Sequence, residues 1–297
     1  MTSEPHAGQH SFDQQRREIQ AAIANGPLIR VFDEVSALIR PSIRLLPVPL
    51  LLGSSGSSSF LGGRPLLPEE LTWPRSKDRP LDFLGQIALT DVAALDIEHA
   101  LPRHGVFYFF YAVDGEAWGY RPGDHGAWKV LYSEATHDAI REKAPPGTYE
   151  FPRSNVALAL ESMLPPAESS LVSSLQLSED ELEAYWDLLV EETPAGTAEK
   201  ESVHRLLGHP DQIQGDMQLV CQLVSHGLDV GNEEGFADPR AQVLADSATS
   251  WRLLLQLDSD QTTAMQWGDW GRVFFWVREG DLELRRFDAA WLVLQSH

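Results

Sequence analysis

The sequence predicts an α+β fold in which two internally repeated, mainly antiparallel β-rich halves pack together behind an N-terminal helical segment. Apolar residues follow a helical period before residue 42, aromatic and branched runs dominate afterwards, and one series of β-type blocks occurs twice. We assign residues 1–42 to the helical segment, 43–164 to the first half, and 165–297 to the second half with an acidic helical insertion. All three parts are expected to form one compact domain.

The N-terminal segment is predicted to form two consecutive helices. Apolar residues between positions 12 and 23 are spaced to share one face of the first helix. Asn-Gly-Pro at 25–27 ends that helix and begins the second, because proline is favoured in a first helical turn. The second helix is expected to stop before Pro41. Residues 43–52 contain two prolines, so they are predicted to form an edge strand or an extended arm.

The β-type blocks occur twice in the same order. Each copy has a Gly-Pro element, an apolar strand containing Gln86 or Gln256, a Gly-led aromatic strand and a strand that begins with tryptophan. A buried glutamine needs hydrogen bonds for its amide, so both are predicted to be structural clasps in preference to catalytic amides. The first copy comprises residues 60–65, 83–87, 105–110 and 128–132, and the second comprises 206–210, 253–257, 271–276 and 291–295.

Further segments complete the predicted secondary structure. Residues 151–161 and 217–224 are rich in apolar and branched residues and are predicted to be strands. A capping-box pattern at 178–181 predicts the start of a helix. Residues 203–207 are expected to form a short helical turn that ends at Gly208.

The charge of the chain is strongly negative and unevenly distributed. The net charge is −21, and residues 151–297 hold 9 basic against 25 acidic residues. Much of this excess lies in residues 178–201. Such a field repels phosphate backbones, so direct nucleic-acid binding is not expected. It favours a basic protein or peptide as a partner, although a solubilising role for the acidic run is the alternative.

Composition also argues against membrane insertion and disulfide bonding. No apolar run reaches the roughly 20 residues that a membrane-spanning helix needs. The first 25 residues are polar and lack the apolar core of a secretory signal. Cys221 is the single cysteine, so an intrachain disulfide is excluded. We therefore expect a cytoplasmic protein without a membrane partner and without a cofactor.

A cluster of histidine and aspartate residues in the second half offers the strongest alternative chemistry. His209, Asp211 and Asp216 are close in sequence, and Asp258 and Asp260 come later in the same copy. Mixed nitrogen and oxygen ligands of this kind suit a metal-assisted, hydrolase-type enzyme. Against this, the second half has no His-x-x-x-His pair, and Asp-Ser-Asp is also common in turns.

The segment around Trp267 is a candidate contact for a partner. Trp267-Gly268-Asp269-Trp270-Gly271 places two glycines beside two tryptophans, as in a loop that displays an aromatic face. An aromatic groove with acidic edges would suit a basic, partly extended peptide. Packing of the tryptophans in the core is the alternative, because aromatic side chains bury the most area per residue.

Several of these motifs resemble the YwqG family of bacterial proteins. The resemblance spans roughly residues 60–297 and rests on the joint occurrence of six blocks. Because no reaction is established for that family, the resemblance implies a fold and leaves the function open. The blocks are Leu-Gly-Gly-Arg-Pro-Leu-Leu-Pro at 61–68, Leu-Thr-Trp-Pro at 71–74, Pro-Leu-Asp-Phe-Leu-Gly-Gln-Ile at 80–87, and the segments 209–218, 255–260 and 265–272.

A more distant resemblance is to the eukaryotic programmed-cell-death-2 family of ribosomal-protein chaperones. The shared features are a Gly-Gly-x-Pro entry at 62–65 and a Phe-Leu-x-Gln strand at 83–86. That resemblance implies a scaffold that escorts a basic protein, although this sequence lacks the family's Cys-x-x-Cys pairs. YwqG-like proteins are also associated with toxin-neutralising immunity proteins, and both leads imply protein binding.

The function predicted from the sequence is therefore non-catalytic binding of a basic protein or peptide, in a chaperone-like or immunity-like role. The competing prediction is the metal-assisted enzyme of the second half. No catalytic residue is assigned. The predicted partner-binding residues are Trp267, Asp269, Trp270, His209, Asp211, Asp216, Asp258 and Asp260.

Overall fold

A ten-stranded antiparallel sheet forms the body of the protein. The computed structural model describes residues 5–48, 58–114, 116–135, 140–141, 144–192 and 202–297. The strands are β1 (Arg40–Val48), β2 (Phe60–Leu61), β3 (Leu66–Leu67), β4 (Arg75–Ser76), β5 (Arg79–Pro80), β6 (Asp82–Ala88), β7 (Val106–Tyr111), β8 (Trp128–Ser133), β9 (Ile140–Arg141), β10 (Ser154–Met163), β11 (His204–Leu206), β12 (Trp251–Asp258), β13 (Arg272–Arg278) and β14 (Trp291–Gln295). The helices are α1 (Pro5–Asn25), α2 (Phe32–Ala37), α3 (Leu89–Val92), α4 (Ser170–Ser173), α5 (Glu179–Glu192), α6 (Met217–Ser225), α7 (Glu233–Ala237), α8 (Pro239–Ala245) and α9 (Glu279–Glu283).

The order of strands in the large sheet is β14-β13-β12-β11-β1-β10-β2-β6-β7-β8. Every neighbouring pair in it is antiparallel. Two small two-stranded sheets, β3–β9 and β4–β5, lie outside it. The predicted mixture of helices and antiparallel strands, with helices at the N-terminus, is confirmed.

Strand β1 occupies the centre of the sheet and corrects the expectation of an edge strand. It pairs with β10 along its whole length, from Arg40 opposite Met163 to Val48 opposite Asn155. Its other neighbour, β11, pairs only with residues 43–45. Pro41 and Pro47 lie outside that short stretch, so the N–H groups that proline lacks do not interrupt the pairing with β11.

The sheet curls so far that its two edge strands come close together. The indole N–H of Trp128 on β8 donates to the carbonyl of Ala290, just before β14, at 2.8 Å. The rings of Trp128 and Trp291 pack edge to face with 5.0 Å between their centroids. Phe107 on β7 packs against Phe287, which precedes β14, at 4.5 Å. These aromatic contacts nearly close the sheet on itself and cover its edges.

The N-terminal helices and α5 form a second, smaller core. Buried Ile19 and Ile23 of α1 pack with Tyr185 and Leu188 of α5. The hydroxyl of Tyr185 donates to the carbonyl of Pro165 at 2.8 Å, which ties α5 to the segment after β10. Within the part of the chain that the structure describes, no helix combines the length and apolar character needed to cross a bilayer.

Two predicted secondary-structure assignments are wrong. Residues 217–224, predicted as a strand, form helix α6, because the Asp216 carboxylate accepts from the N–H groups of Gln218 and Leu219 as an N-cap. Residues 203–207, predicted as a helical turn, contain strand β11, which pairs with β1 and β12. The strands predicted around 83–87, 105–110, 128–132, 151–161, 253–257, 271–276 and 291–295 are confirmed.

The amides of Gln86 and Gln256 form clasps, as predicted. Gln86 accepts from the N–H of Leu66 at 2.9 Å and donates to the carbonyl of Ser58 at 2.9 Å. Gln256 accepts from the N–H of Asp211 at 2.9 Å and donates to the carbonyl of Val203 at 2.8 Å. Each amide therefore links a residue a few positions after a short strand to a residue just before that strand.

Candidate functional site

The two tryptophans of the predicted aromatic contact lie on the loop between β12 and β13, one in the core and one on the surface. Trp267 is 2% exposed, and its indole N–H donates to the carbonyl of Asp258 at 3.2 Å. Trp270 is 52% exposed and has a left-handed backbone with φ of 50°, and Asp269 beside it is exposed. Only Asp269 and Trp270 of this predicted contact are therefore accessible to a partner.

Asp258 and Asp260 are buried in separate interactions. Asp258 accepts from the N–H of Val203 at 2.8 Å and forms an ion pair with Arg272 at 3.1 Å. Asp260 accepts backbone N–H groups of its own turn and lies 3.7 Å from Nε2 of His204. Burial alone would raise the pKa of Asp260, but His204 and these N–H donors outweigh it and hold that pKa well below its usual range.

The residues of the 209–216 segment also point into separate networks. Buried His209 donates from Nε2 to the carbonyl of Leu38 at 2.8 Å, and burial lowers its pKa to about 3. Asp211 forms a buried ion pair with Arg205 at 2.7 Å. Asp216 caps α6. Across the described residues, no group of three or more His, Cys, Asp or Glu side chains is placed to hold a metal ion.

His209 and Asp216 do share a small cleft beside the centre of the sheet. Arg40, Arg252 and Trp276 also line it, and we call it the Arg40 cleft. The cavity volume is about 50 Å³, room for about three or four water molecules. The start of β1, the segment after β10, the loop after β11 and the first residues of α6 meet at this cleft.

The outer face of α5 carries two parallel rows of side chains, which together we call the α5 ridge. Residues four apart on an α-helix lie one above the other, so each row runs along the helix axis. The apolar row consists of Leu182, Trp186 and Val190, which are 38%, 42% and 63% exposed. The acidic row consists of Glu179, Glu183, Asp187 and Glu191, which are also exposed. Apolar side chains thus lie in water beside a line of carboxylates.

The inner face of α5 holds the helix firmly in place, so the ridge has a fixed orientation. Ser178 and Glu181 form the predicted capping box, with Ser178 N–H donating to Glu181 Oε2 at 2.8 Å. Arg30 donates to both carboxylate oxygens of Glu181, at 2.7 and 2.8 Å. The Arg30 hydrogen bonds are the main cause that lowers the pKa of Glu181 to about 2. The later part of the predicted acidic run, 193–201, lies outside the described residues.

Sequence reasoning found the acidic run but missed its apolar row and the Arg40 cleft. Tyr185 is buried and its neighbour Trp186 is exposed. The i, i+4, i+8 spacing from Leu182 was the signal that marks a row. No sequence pattern indicates that Arg40 lies near Trp276. The two residues are far apart in sequence, and only the strand order of the sheet brings them together.

Comparison with known proteins gives a family and no function. No curated protein matches the chain. A sequence profile described as a domain of unknown function, DUF1963, matches residues 59–296, which cover the whole large sheet except β1. The chain therefore belongs to the DUF1963 family.

Proposed function

We propose that this protein is a non-catalytic binding module that engages a basic protein or peptide through the α5 ridge, in a chaperone-like or immunity-like role. The observation that carries the proposal is the pairing of an exposed apolar row with an exposed acidic row on one fixed helix. An amphipathic partner segment with matching apolar and Lys/Arg rows would bury Trp186 and neutralise the carboxylates beside it.

Charge supports a basic partner over a neutral one. With a net charge of −21, the protein attracts cationic segments from a distance and speeds their encounter. The apolar row then supplies the short-range free energy, since a tryptophan at the centre of a contact is a frequent hot spot. Binding should weaken when salt is raised from about 0.15 M to about 0.5 M, because exposed charges are screened.

Site-specific photo-cross-linking from the α5 ridge tests this function. A photoreactive side chain replaces Val190 in the full-length protein, and cross-linked products from lysate of the source cells are identified by mass spectrometry. The reference position is Val243 on α8, which is 76% exposed and remote in sequence from α5. We expect one or a few proteins rich in Lys/Arg to be captured from position 190 and not from position 243.

Two matched triple variants separate local charge from total charge. Glu183→Lys/Asp187→Lys/Glu191→Lys should abolish the capture from position 190. The control variant reverses three other exposed acids, Glu233→Lys/Glu234→Lys/Glu283→Lys, and makes the same change in net charge. Equal capture by both triple variants, or equal capture from positions 190 and 243, would contradict the proposal.

We propose Asp269 and Trp270 as a second contact of the binding function. Both are exposed, on a loop whose backbone is anchored by the N–H of His297 donating to the Asp269 carbonyl at 3.2 Å. The other predicted partner-binding residues support the fold through internal hydrogen bonds and ion pairs. Trp270→Ser should therefore reduce capture, although less than changes in the α5 ridge.

The finer architecture that we propose is an internal duplication of the YwqG type, in which β1 and β10 are equivalent strands at the centre of the sheet. Four further observations support it. Ile43 of β1 pairs with Leu206 of β11, and Ser154 of β10 pairs with Leu61 of β2 in the same way. The β-bulges also correspond, at residues 83–85 of β6 and 253–255 of β12. The Gln86 and Gln256 clasps are equivalent in atoms and in spacing, and the left-handed pairs Gly62-Gly63 and Leu207-Gly208 occupy equivalent positions.

The metal-assisted enzyme is the less favoured alternative. His209 and Asp258 take part in different buried networks, and each is engaged by groups of the protein itself. No specific observation among the described residues brings the predicted His/Asp set together, so the binding function stands as the single proposal.

A further inference from the structure

The Arg40 cleft contains hydrogen-bond donors that have no acceptor among the described residues. Arg40 is partly buried at the start of β1, and its guanidinium has neither a hydrogen bond nor an ion pair with any described residue. Trp276 lines the same cleft and is 2% exposed, yet its buried indole N–H has no acceptor among the described residues. A buried donor without an acceptor is costly, and this cost applies to the Trp276 N–H. Together with the unpaired guanidinium of partly buried Arg40, it points to a ligand that supplies oxygen atoms.

Around the cleft, the carboxylates have other partners, and the Arg40 guanidinium has none among the described residues. Arg252 also lines the cleft, but it pairs with Glu98 and, at 3.6 Å, with Glu279. Those two carboxylates are near enough to interact with Arg40, without reaching ion-pair distance. The Asp216 carboxylate in the cleft wall is satisfied by the backbone N–H groups of Ser170, Gln218 and Leu219 and by the Ser170 hydroxyl. A ligand with two negative charges would be repelled by these acids.

We propose that the Arg40 cleft binds a carboxylate with a single negative charge, whose oxygens accept hydrogen bonds from the Arg40 guanidinium and the Trp276 indole N–H. A guanidinium presents two parallel N–H groups that fit a carboxylate in a bidentate arrangement. The cavity volume of about 50 Å³ matches a carboxyl group with a short substituent.

The walls of the cleft fit the substituent of such a ligand. Pro165, Pro166, Leu171 and Leu253 line it, so a short apolar group attached to the carboxyl carbon would be shielded from water. His209 adds no positive charge, because it is neutral and its Nε2–H is committed to the Leu38 carbonyl. Arg40 is therefore the group that we expect to determine the affinity.

The test follows the indole signals of full-length protein labelled with ¹⁵N-tryptophan during titration with sodium acetate at constant ionic strength. Trp276→Phe assigns the signal of Trp276, and Trp270→Phe assigns that of exposed Trp270. We expect the Trp276 signal to move and saturate, while the Trp270 signal stays in place. Arg40→Gln should weaken acetate binding by at least about tenfold, and Arg40→Lys should have an intermediate effect.

The control and the probes distinguish this site from general anion binding. Arg103→Gln, at an exposed arginine, should leave the affinity for acetate unchanged. A short peptide with a free carboxyl end, compared with its amidated form, distinguishes a chain terminus from a free small carboxylate: tighter binding of the free-ended peptide than of acetate assigns the terminus, and weaker binding assigns the small molecule.

Three results would overturn the carboxylate site. The first is that neither acetate nor the free-ended peptide moves the Trp276 signal of the wild-type protein. The second is that a folded Arg40→Gln protein binds acetate as tightly as the wild type does. The third is that inorganic phosphate binds more tightly than acetate. The titration of the wild type alone decides the first and third, so the test holds even if the Arg40 variants fail to fold.

Discussion

His209 links the stability of the protein to pH in a direction set by its burial. Its pKa is about 3 in the folded protein and near 6.5 when exposed. Below pH 6.5, His209 is therefore protonated in the unfolded chain and stays neutral in the folded protein. The free energy of unfolding decreases as the pH falls towards 3. The stabilisation of wild type relative to His209→Gln should shrink by about 2 kcal/mol between pH 7 and pH 5.

Urea unfolding at several pH values measures this difference. His297→Gln, which changes an exposed histidine, is the control, and its unfolding free energy should stay parallel to that of the wild type. A constant difference between wild type and His209→Gln across this range would show that folding does not lower the pKa of His209.

The buried amide of Gln256 contributes through several hydrogen bonds at once. Gln256→Leu would leave the N–H of Asp211 and the carbonyl of Val203 without partners, and would remove a 2.7 Å donor to Asp211 Oδ2. We expect a loss of about 2–4 kcal/mol in the free energy of unfolding. Gln261→Leu, at an exposed position, should change it by less than about 0.5 kcal/mol. A similarly small loss for Gln256→Leu would contradict the clasp.

At the scale of the element, helix α5 has two faces with different roles. Its inner face stabilises the fold, and its outer face is accessible to a partner. Leu188 is 5% exposed in the smaller core, and Trp186 is 42% exposed on the ridge. Leu188→Ala should reduce the free energy of unfolding by about 2–4 kcal/mol. Trp186→Ser should change it by less than about 0.5 kcal/mol and still abolish partner capture. A large loss of stability for Trp186→Ser would make this residue part of the fold.

The sequence predicted elements well where one local signal dominated. Aromatic and branched runs identified most strands, and the capping box identified α5. Prediction failed where neighbours decide the structure. Residues 203–207 form a strand because β1 and β12 flank them. Proline-containing β1 is central because β11 is too short to reach Pro41 or Pro47. For α6, the apolar positions 217, 220, 221 and 224 already fit a helical period, and Asp216 was the unrecognised cap.

At the scale of the whole molecule, the strand order explains why the site residues were scattered. His209, Asp211, Asp216, Asp258 and Asp260 are close along the chain or in register, which suggested one cluster. In the curled sheet, their side chains instead have different partners. The sheet brings Arg40, at the end of the N-terminal segment, to Trp276 near the end of the second half. The Arg40 cleft is lined by residues that only the strand order brings together. It therefore cannot be predicted from the spacing of residues within one copy of the repeated blocks.

The same strand order predicts that the halves cannot fold separately. β11 of the second half lies between β12 and β1, and β1 belongs to the first half. Residues 165–297 alone would expose the free edge of β11 and the aromatic contacts of β14 with β8. We expect this fragment to remain unfolded, whereas the full chain should unfold in urea in one transition with coincident tryptophan fluorescence and far-UV circular dichroism. Two separated transitions, or a folded 165–297 fragment, would show that each half is an independent domain.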